Sequence, residues 1–313
     1  MSRTRATHVR AALLMLGSTV AFALMAVTIR LASRWVPITE VAFFRNAFGL
    51  LSLLPIVVVA ALRTPVFADG LRTVTRTRQL PRYALRCLIG LASMLCGFWA
   101  IGNLPLALAI SLSYTSPIFV TVLAVLLLGE RVRLRRWMAV LVGFLGVLTI
   151  VRPWSQAFSP GTLIAVFAAV LGALVAIQIK QLSRVDSPLT IVWWTYLFWV
   201  PMSLVPALAQ WQAPHGIAWL WLVLCGVLGT LGQLLWTRAL EIGEVSALTP
   251  ISFLQLPIVA TAGVLLFGER LDRWTVIGAS IILAANAYIA HREAQLARRN
   301  AARTLIDGVE PGN

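Results

Sequence analysis

Leu126-Leu127-Leu128-Gly129-Glu130-Arg131 closes one long apolar run, and Leu265-Leu266-Phe267-Gly268-Glu269-Arg270 closes another 139 residues later. Each run holds a proline, Pro117 or Pro257, shortly before its glutamate. Each Gly-Glu-Arg is soon followed by a basic–Trp pair, Arg136-Trp137 or Arg273-Trp274. A period close to half of a 313-residue chain means two copies of one unit. Units this apolar are suited to lipid, where a spanning segment must satisfy its own backbone polar groups and is therefore a helix or part of a closed barrel.

Composition agrees. Apolar residues make up 59% of the chain, charged ones 12%, and the mean hydropathy is +0.87. A soluble domain carries about 25% charged residues, so this chain lacks the polar surface to face water. Crossing the hydrocarbon core takes roughly 20 apolar residues. Ten segments qualify: 11–31, 39–62, 83–102, 106–128, 136–151, 160–180, 188–209, 217–238, 246–267 and 274–290, the fifth and tenth being short. The expected fold is an all-α membrane protein of ten transmembrane helices in two five-helix repeats, 1–155 and 156–292, with a mobile cytoplasmic tail over 293–313. An odd number of spans per copy makes the second copy enter from the opposite side, so the repeats are expected to be inverted in topology.

The net charge of +15 is topology information rather than a nucleic-acid signature. With the N-terminus inside, twenty basic residues fall on the inner side and five on the outer, with Arg45 left in the bilayer. That asymmetry is what the positive-inside rule expects, so both termini are expected on the cytoplasmic side of the membrane. The Arg-rich 63–86 stretch suits contact with anionic lipid. Met1–Arg10 resembles the start of a signal peptide, but the apolar run continues to Leu31, so the segment reads as a retained first helix. Cys87, Cys96 and Cys225 all lie in spans and read as small buried hydrophobes.

Enzyme chemistry lacks its parts. His8, His215 and His291 lie in tails or loops, no acidic pair or His-x-x-x-His falls in the bilayer, and Lys180 is the only lysine. Neither a metal nor a cofactor is expected. The expected partners are a small-molecule substrate and the lipid bilayer; the sequence does not specify an oligomeric state.

Arg45 is the sharpest single feature, about six residues inside the second span, or roughly 9–10 Å along a helix. An arginine at the bilayer centre costs about 2.5–3.5 kcal/mol on insertion scales and usually serves a function. Its fork of donors suits a carboxylate or phosphate; the alternative is a side chain snorkelling to the interface. The fourth span carries Ser111, Tyr114 and Thr115 on one helical face just before Pro117, and the ninth repeats the idea with Thr249, Ser252 and Gln255 before Pro257. Proline bends a helix, and broken polar helices occur in bilayers where they line a cavity, although serines also act as interhelical glue. Trp99 and Trp236, with Gln233 one turn before the latter, could form aromatic walls of such a cavity or simply face lipid. The seventh span offers no counterpart to Arg45, so the cavity is expected to be electrostatically lopsided. Glu130 and Glu269 sit at helix ends beside arginines and read as structural turns. Of the remaining acids, Glu40 and Glu241 are nearest to serving as coupling carboxylates.

Leu104-Pro105-Leu106-Ala107, Tyr114-Thr115-Ser116-Pro117, Leu127-Leu128-Gly129-Glu130-Arg131 and Gly143–Gly146 resemble an EamA-type repeat of the drug/metabolite transporter superfamily. Arg238-Ala239-Leu240, Ala247-Leu248-Thr249-Pro250, Phe267-Gly268-Glu269-Arg270 and Trp274–Gly278 resemble its second copy. The resemblance runs from about 12 to 290. It implies a ten-helix inner-membrane carrier with a central cavity and alternating access, and Arg45-Asn46 with the 72–86 segment is similar to the subgroup of S-adenosylmethionine and riboflavin carriers. Ala284-Ala285-Asn286 departs from the usual Gly-Val pair. The leading expectation is a secondary carrier of an amino acid or derivative, with Arg45 on its carboxylate. The alternatives are uptake of a cofactor-like solute such as riboflavin or S-adenosylmethionine, and a membrane scaffold without transport.

Overall fold

The computed structural model describes residues 2–62, 69, 72, 75–128, 134–155, 158–183, 185–242 and 245–307. Among the described residues every regular element is a helix. In chain order these are α1 (Ser2–Ala32), α2 (Ile38–Leu62), α3 (Leu80–Asn103), α4 (Leu106–Ser113), α5 (Ser116–Leu128), α6 (Leu134–Val151), α7 (Gly161–Leu182), α8 (Pro188–Leu208), α9 (Ala218–Ile242), α10 (Val245–Ser252), α11 (Gln255–Phe267) and α12 (Arg273–Asp307). Counting α4–α5 and α10–α11 as single crossings, nine spans among the described residues are long and apolar enough to cross a bilayer; Trp137–Val151 is a shorter tenth. Leu13, Leu51, Leu126, Val205 and Leu265 are each more than half exposed. Such an apolar exterior has lipid, not water, as its natural solvent.

Local chemistry sets the ends. Pro81 occupies the first turn of α3, where its missing N–H costs nothing, and Leu104 leaves the helix in extended conformation just before Pro105. Ser187 caps α8, its hydroxyl accepting from the Thr190 N–H at 3.2 Å. Gly268 ends α11 in the left-handed region at φ 64°, where glycine carries no steric penalty. Beyond His291 α12 continues as helix to Asp307. That stretch is rich in Ala and Arg, both strong helix formers.

The two halves match piece by piece. α4 and α10 are 8 residues each, α5 and α11 are 13 each, and Leu106 to Val245 is the same 139-residue step as the Gly-Glu-Arg repeat. Both long spans break at one place, Tyr114-Thr115 and Phe253-Leu254. Pro117 and Pro257 therefore lie in the first turns of α5 and α11, just beyond each break, rather than inside a continuous bent helix.

Packing exchanges the halves. α1 packs on α9 as α7 packs on α3; α2 packs on α9 as α8 packs on α3. The equivalent helices α2 and α8 run antiparallel: Glu40 meets Gln212, Asn46 meets Ser203 and Gly49 meets Tyr196. The equivalent pair α6 and α12 also runs antiparallel, from Gly143 beside Ala285 to Arg152 beside Asp272. This is the order an inverted pair produces.

The α6–α12 crossing depends on two glycines. A methyl group on Gly278 would lie 2.6 Å from the Gly146 carbonyl oxygen, and one on Gly146 would lie 2.9 Å from that of Gly278. Small residues that let helix backbones touch are a main source of helix association in lipid. Gly278→Ala should destabilise the protein by about 1–3 kcal/mol, the usual cost of overpacking. Ser280→Ala, on the exposed face of the same helix, serves as the control. Melting of the detergent-purified variants would check this, and an unchanged Gly278→Ala midpoint would show the crossing to be loose.

Candidate functional site

The sequence-derived residues separate into two groups in space. Tyr114, Ser252 and Gln255 come together where the two helix breaks meet. The Tyr114 hydroxyl donates to the Ser252 carbonyl at 2.6 Å and lies 3.2 Å from Gln255 Oε1, and its ring meets Phe253 edge-on. Asn286 Nδ2 donates to the Tyr114 carbonyl at 2.6 Å, so the departure from the Gly-Val pattern supplies a bond to a broken helix. Ser111 is buried and donates to its own helix at Ala107 O, 2.5 Å away. Losing the bridging hydroxyl in Tyr114→Phe should cost about 1 kcal/mol of stability, measurable as a lowered melting midpoint. No change would mean that water substitutes for the hydroxyl.

A cavity of about 210 Å³ opens beside the first break, between α3, α4, α5 and α7, lined by Ser93, Gly97, Ser113, Ser116, Ala169 and Gly172. Its counterpart in the other half is packed. Applying the 139-residue step to α3 and the 150-residue step that separates the starts of α2 and α8 to α7, Ser93 maps to Gly232 and Gly172 to Phe22. Phe22 lies on Gly232, where an added methyl would be 2.9 Å from its ring. Phe22 thus fills on this side the space that Gly172 leaves open on the other.

Trp99 is half-buried over Gly161, Gln233 is half-buried on α9, and Trp236 is 40% exposed on the outside of the same helix. Glu130 lies outside the described residues, and of Glu241 only the backbone is described. Glu40 is fully buried at the start of α2; one carboxylate oxygen accepts from the Gln212 N–H at 2.5 Å and the other has no partner.

Arg45 is the second group. Its guanidinium sits 5.5 Å from the Tyr196 ring centroid and 5.8 Å from that of Trp199, both on α8. Across from them lies α9, where a methyl group on Gly229 would touch the guanidinium at 3.2–3.3 Å, and α1 contributes Met25. Nη1 donates to Asn46 Oδ1 at 3.0 Å, and Asn46, fully buried, donates to Ser203 Oγ at 3.2 Å. Nε is buried without a partner, and no carboxylate among the described residues lies within ion-pair distance.

Other arginines near the bilayer are spent differently. Arg30 donates to the carbonyls of Ile101 (2.6 Å) and Leu104 (2.5 Å) and pairs with Glu269 at 2.9 Å. The other Glu269 oxygen accepts from the Leu106 N–H at 2.8 Å. This carboxylate thus ties the end of α1 and the α3–α4 turn to the end of α11. Arg152 pairs with Asp272 at 2.7 Å. Arg30 and Arg152 have carboxylates to neutralise them; Arg45 has aromatic faces and open donors instead. Guanidinium planes stack on aromatic rings, and the same geometry receives a flat heteroaromatic ligand or an acceptor-rich group.

Sequence reasoning underweighted Asn46, Trp199, Ser203 and Arg86. Asn46 had a signal, being polar next to an intramembrane arginine. Arg86 has one too, because it falls inside the 83–102 apolar segment.

Comparison with known proteins agrees with this architecture. A model described as the EamA-like transporter family matches residues 9–152 and again 159–290. A riboflavin transporter of Vibrio cholerae is 34% identical over 92% of this chain and 95% of its own. An S-adenosylmethionine uptake transporter of Rickettsia felis is 30% identical over 81% of this chain and 83% of its own. A pseudopaline exporter of Pseudomonas aeruginosa is 30% identical over 84% and 90%. A solved crystal structure, 20% identical, shares the fold with a TM-score of 0.60 over 93% of this chain and 99% of that one. Two matched copies covering nearly the whole of a multi-pass helical chain make this protein a member of the EamA-like transporter family.

Proposed function

We infer that the protein is an uptake carrier for a planar, cofactor-like solute of the riboflavin or S-adenosylmethionine type, working by alternating access in the inner membrane with both termini cytoplasmic. The observation that carries this reading is Arg45, an unneutralised guanidinium held against Tyr196 and Trp199 with an unpartnered donor. A heteroaromatic solute can both stack on a guanidinium and accept from its donors, whereas a carboxylate uses the donors alone. The names of the Vibrio and Rickettsia relatives support the same class.

In this reading residues 1–155 and 156–292 are the two inverted units, and they rock against each other about the paired breaks at Tyr114 and Phe253. The cavity beside Gly97 and its packed counterpart around Phe22 would exchange roles as access alternates. Gln233, Trp99 and Trp236 stay outside the proposed binding set.

Counterflow in proteoliposomes tests the proposal, with riboflavin, S-adenosylmethionine or an amino-acid panel inside and the labelled compound outside. Accumulation of one of the two ring-bearing solutes supports it. Accumulation of amino acids alone returns the function to the first expectation, and none from any compound removes the assigned class.

A further inference from the structure

Arg45 has a counterpart, supplied by an unexpected helix. Under the repeat, α2 maps to α8 by 150 residues and α3 to α9 by 139, so Arg45 corresponds to Thr195 and Cys87 to Gly226. The contacts obey this mapping. Cys87 Sγ lies 4.0 Å from the Thr195 carbonyl, and a methyl on Gly226 would lie 3.2 Å from the Arg45 carbonyl. At the Thr195 position the second guanidinium is present, but it comes from α3: Arg86 Nη1 donates to the Thr195 hydroxyl. The Thr195 position thus has a guanidinium beside it although the seventh span supplies none. One half carries its cation on α2, and the other receives its cation from α3.

Arg86 is only 5% exposed and sits six residues into α3, roughly 9 Å along the helix. Arg45 is seven residues into α2, roughly 10 Å along it. Consecutive spans start at opposite membrane faces, so the two cations lie at comparable depths from opposite sides. Trp199 stands between them: its indole Nε1 donates to the Cys87 carbonyl at 3.0 Å and its ring faces Arg45. Arg86, like Arg45, has a buried Nε without a partner, and no carboxylate among the described residues pairs with it. Two uncompensated guanidiniums inside a bilayer protein are costly unless an anion offsets them.

We propose that Arg86 is a second anion-binding residue, the two-fold counterpart of Arg45, so that the interior receives a carboxylate- or phosphate-bearing solute at one guanidinium and passes it along Trp199 to the other. The proposal rests on the carrier reading above and narrows it to ring-bearing solutes that carry a carboxylate or a phosphate.

Riboflavin and riboflavin 5′-phosphate differ only in a phosphate and isolate this charge. In proteoliposome counterflow the wild-type protein should favour the phosphate. The ratio of kcat/KM for the phosphate over riboflavin should fall about ten- to a hundredfold in Arg86→Gln, as expected for a lost charge-assisted hydrogen bond, and recover most of its value in Arg86→Lys. An unchanged ratio in Arg86→Gln, with or without a lowered melting midpoint, would make Arg86 a structural clamp on Thr195 and overturn the proposal. Wild-type transport of riboflavin without any of the phosphate would overturn it while leaving the carrier reading intact. If neither flavin moves, the assigned solute class fails, and the anion station is judged on the detergent-purified protein. A melting midpoint raised by inorganic pyrophosphate at constant ionic strength in wild type, but not in Arg86→Gln, supports the station. No rise in wild type removes it.

Discussion

Arg45→Ala is expected to lose transport by roughly 30- to 1000-fold in kcat/KM, the range for truncating one partner of a desolvated charged contact, while folding as well as wild type. Both halves follow from how Arg45 is held. Its guanidinium has one hydrogen bond, to Asn46, two aromatic faces, and a buried Nε without a partner. Among the described residues no ion pair depends on its charge, Asn46 keeps its bond to Ser203, and Tyr196 keeps its own contact with Thr230 at 3.1 Å. Removing a charge that no carboxylate neutralises also removes its desolvation cost, so the melting midpoint should hold or rise. Counterflow and thermal melting of the same preparation measure the two halves together. Transport that persists in Arg45→Ala would demote the residue to packing; transport lost along with the fold would make it structural.

Glu269→Ala should behave in the opposite way, unfolding the protein before any question of transport arises. The carboxylate holds the Arg30 guanidinium at 2.9 Å and the Leu106 N–H at 2.8 Å, and both its oxygens are used. Its loss leaves one cation and one backbone donor unpaired at the membrane edge. Breaking a buried ion pair costs about 3–5 kcal/mol; both side chains keep slight exposure (18% and 12%), which argues for the lower end. A double-mutant cycle with Arg30→Ala separates the pair from the backbone bond. A melting midpoint in Glu269→Ala within error of wild type would show that the junction of α1, α4 and α11 is held by packing alone. Gly263 adds a related expectation: a methyl there would sit 2.6 Å from Glu269 Oε2, so Gly263→Ala should weaken the same junction.

These two residues show how far local sequence reaches. Both are charged groups in or beside apolar runs, and nothing in their immediate neighbours distinguishes a residue bound to backbone and counter-charge from one left open. Arg30 is satisfied by groups 71, 74 and 239 residues away. Arg86 looked like loop charge, yet it is buried against a threonine 109 residues along the chain. Ser111 looked like a cavity wall and is spent on its own helix, whereas Ser113 and Ser116, beside it in sequence, line the opening.

The sequence by itself determined that the chain is helical, that it lives in a membrane and that its halves are alike. Those properties are local: span length comes from apolar run length, helix ends from Pro and Gly, and kinship from a repeated string. The tertiary structure alone decided which charges are neutralised and which stay open, and which of two equivalent sites is a cavity. Pairing depends on groups brought together from distant spans, and a void depends on whether a glycine or a phenylalanine occupies the facing helix.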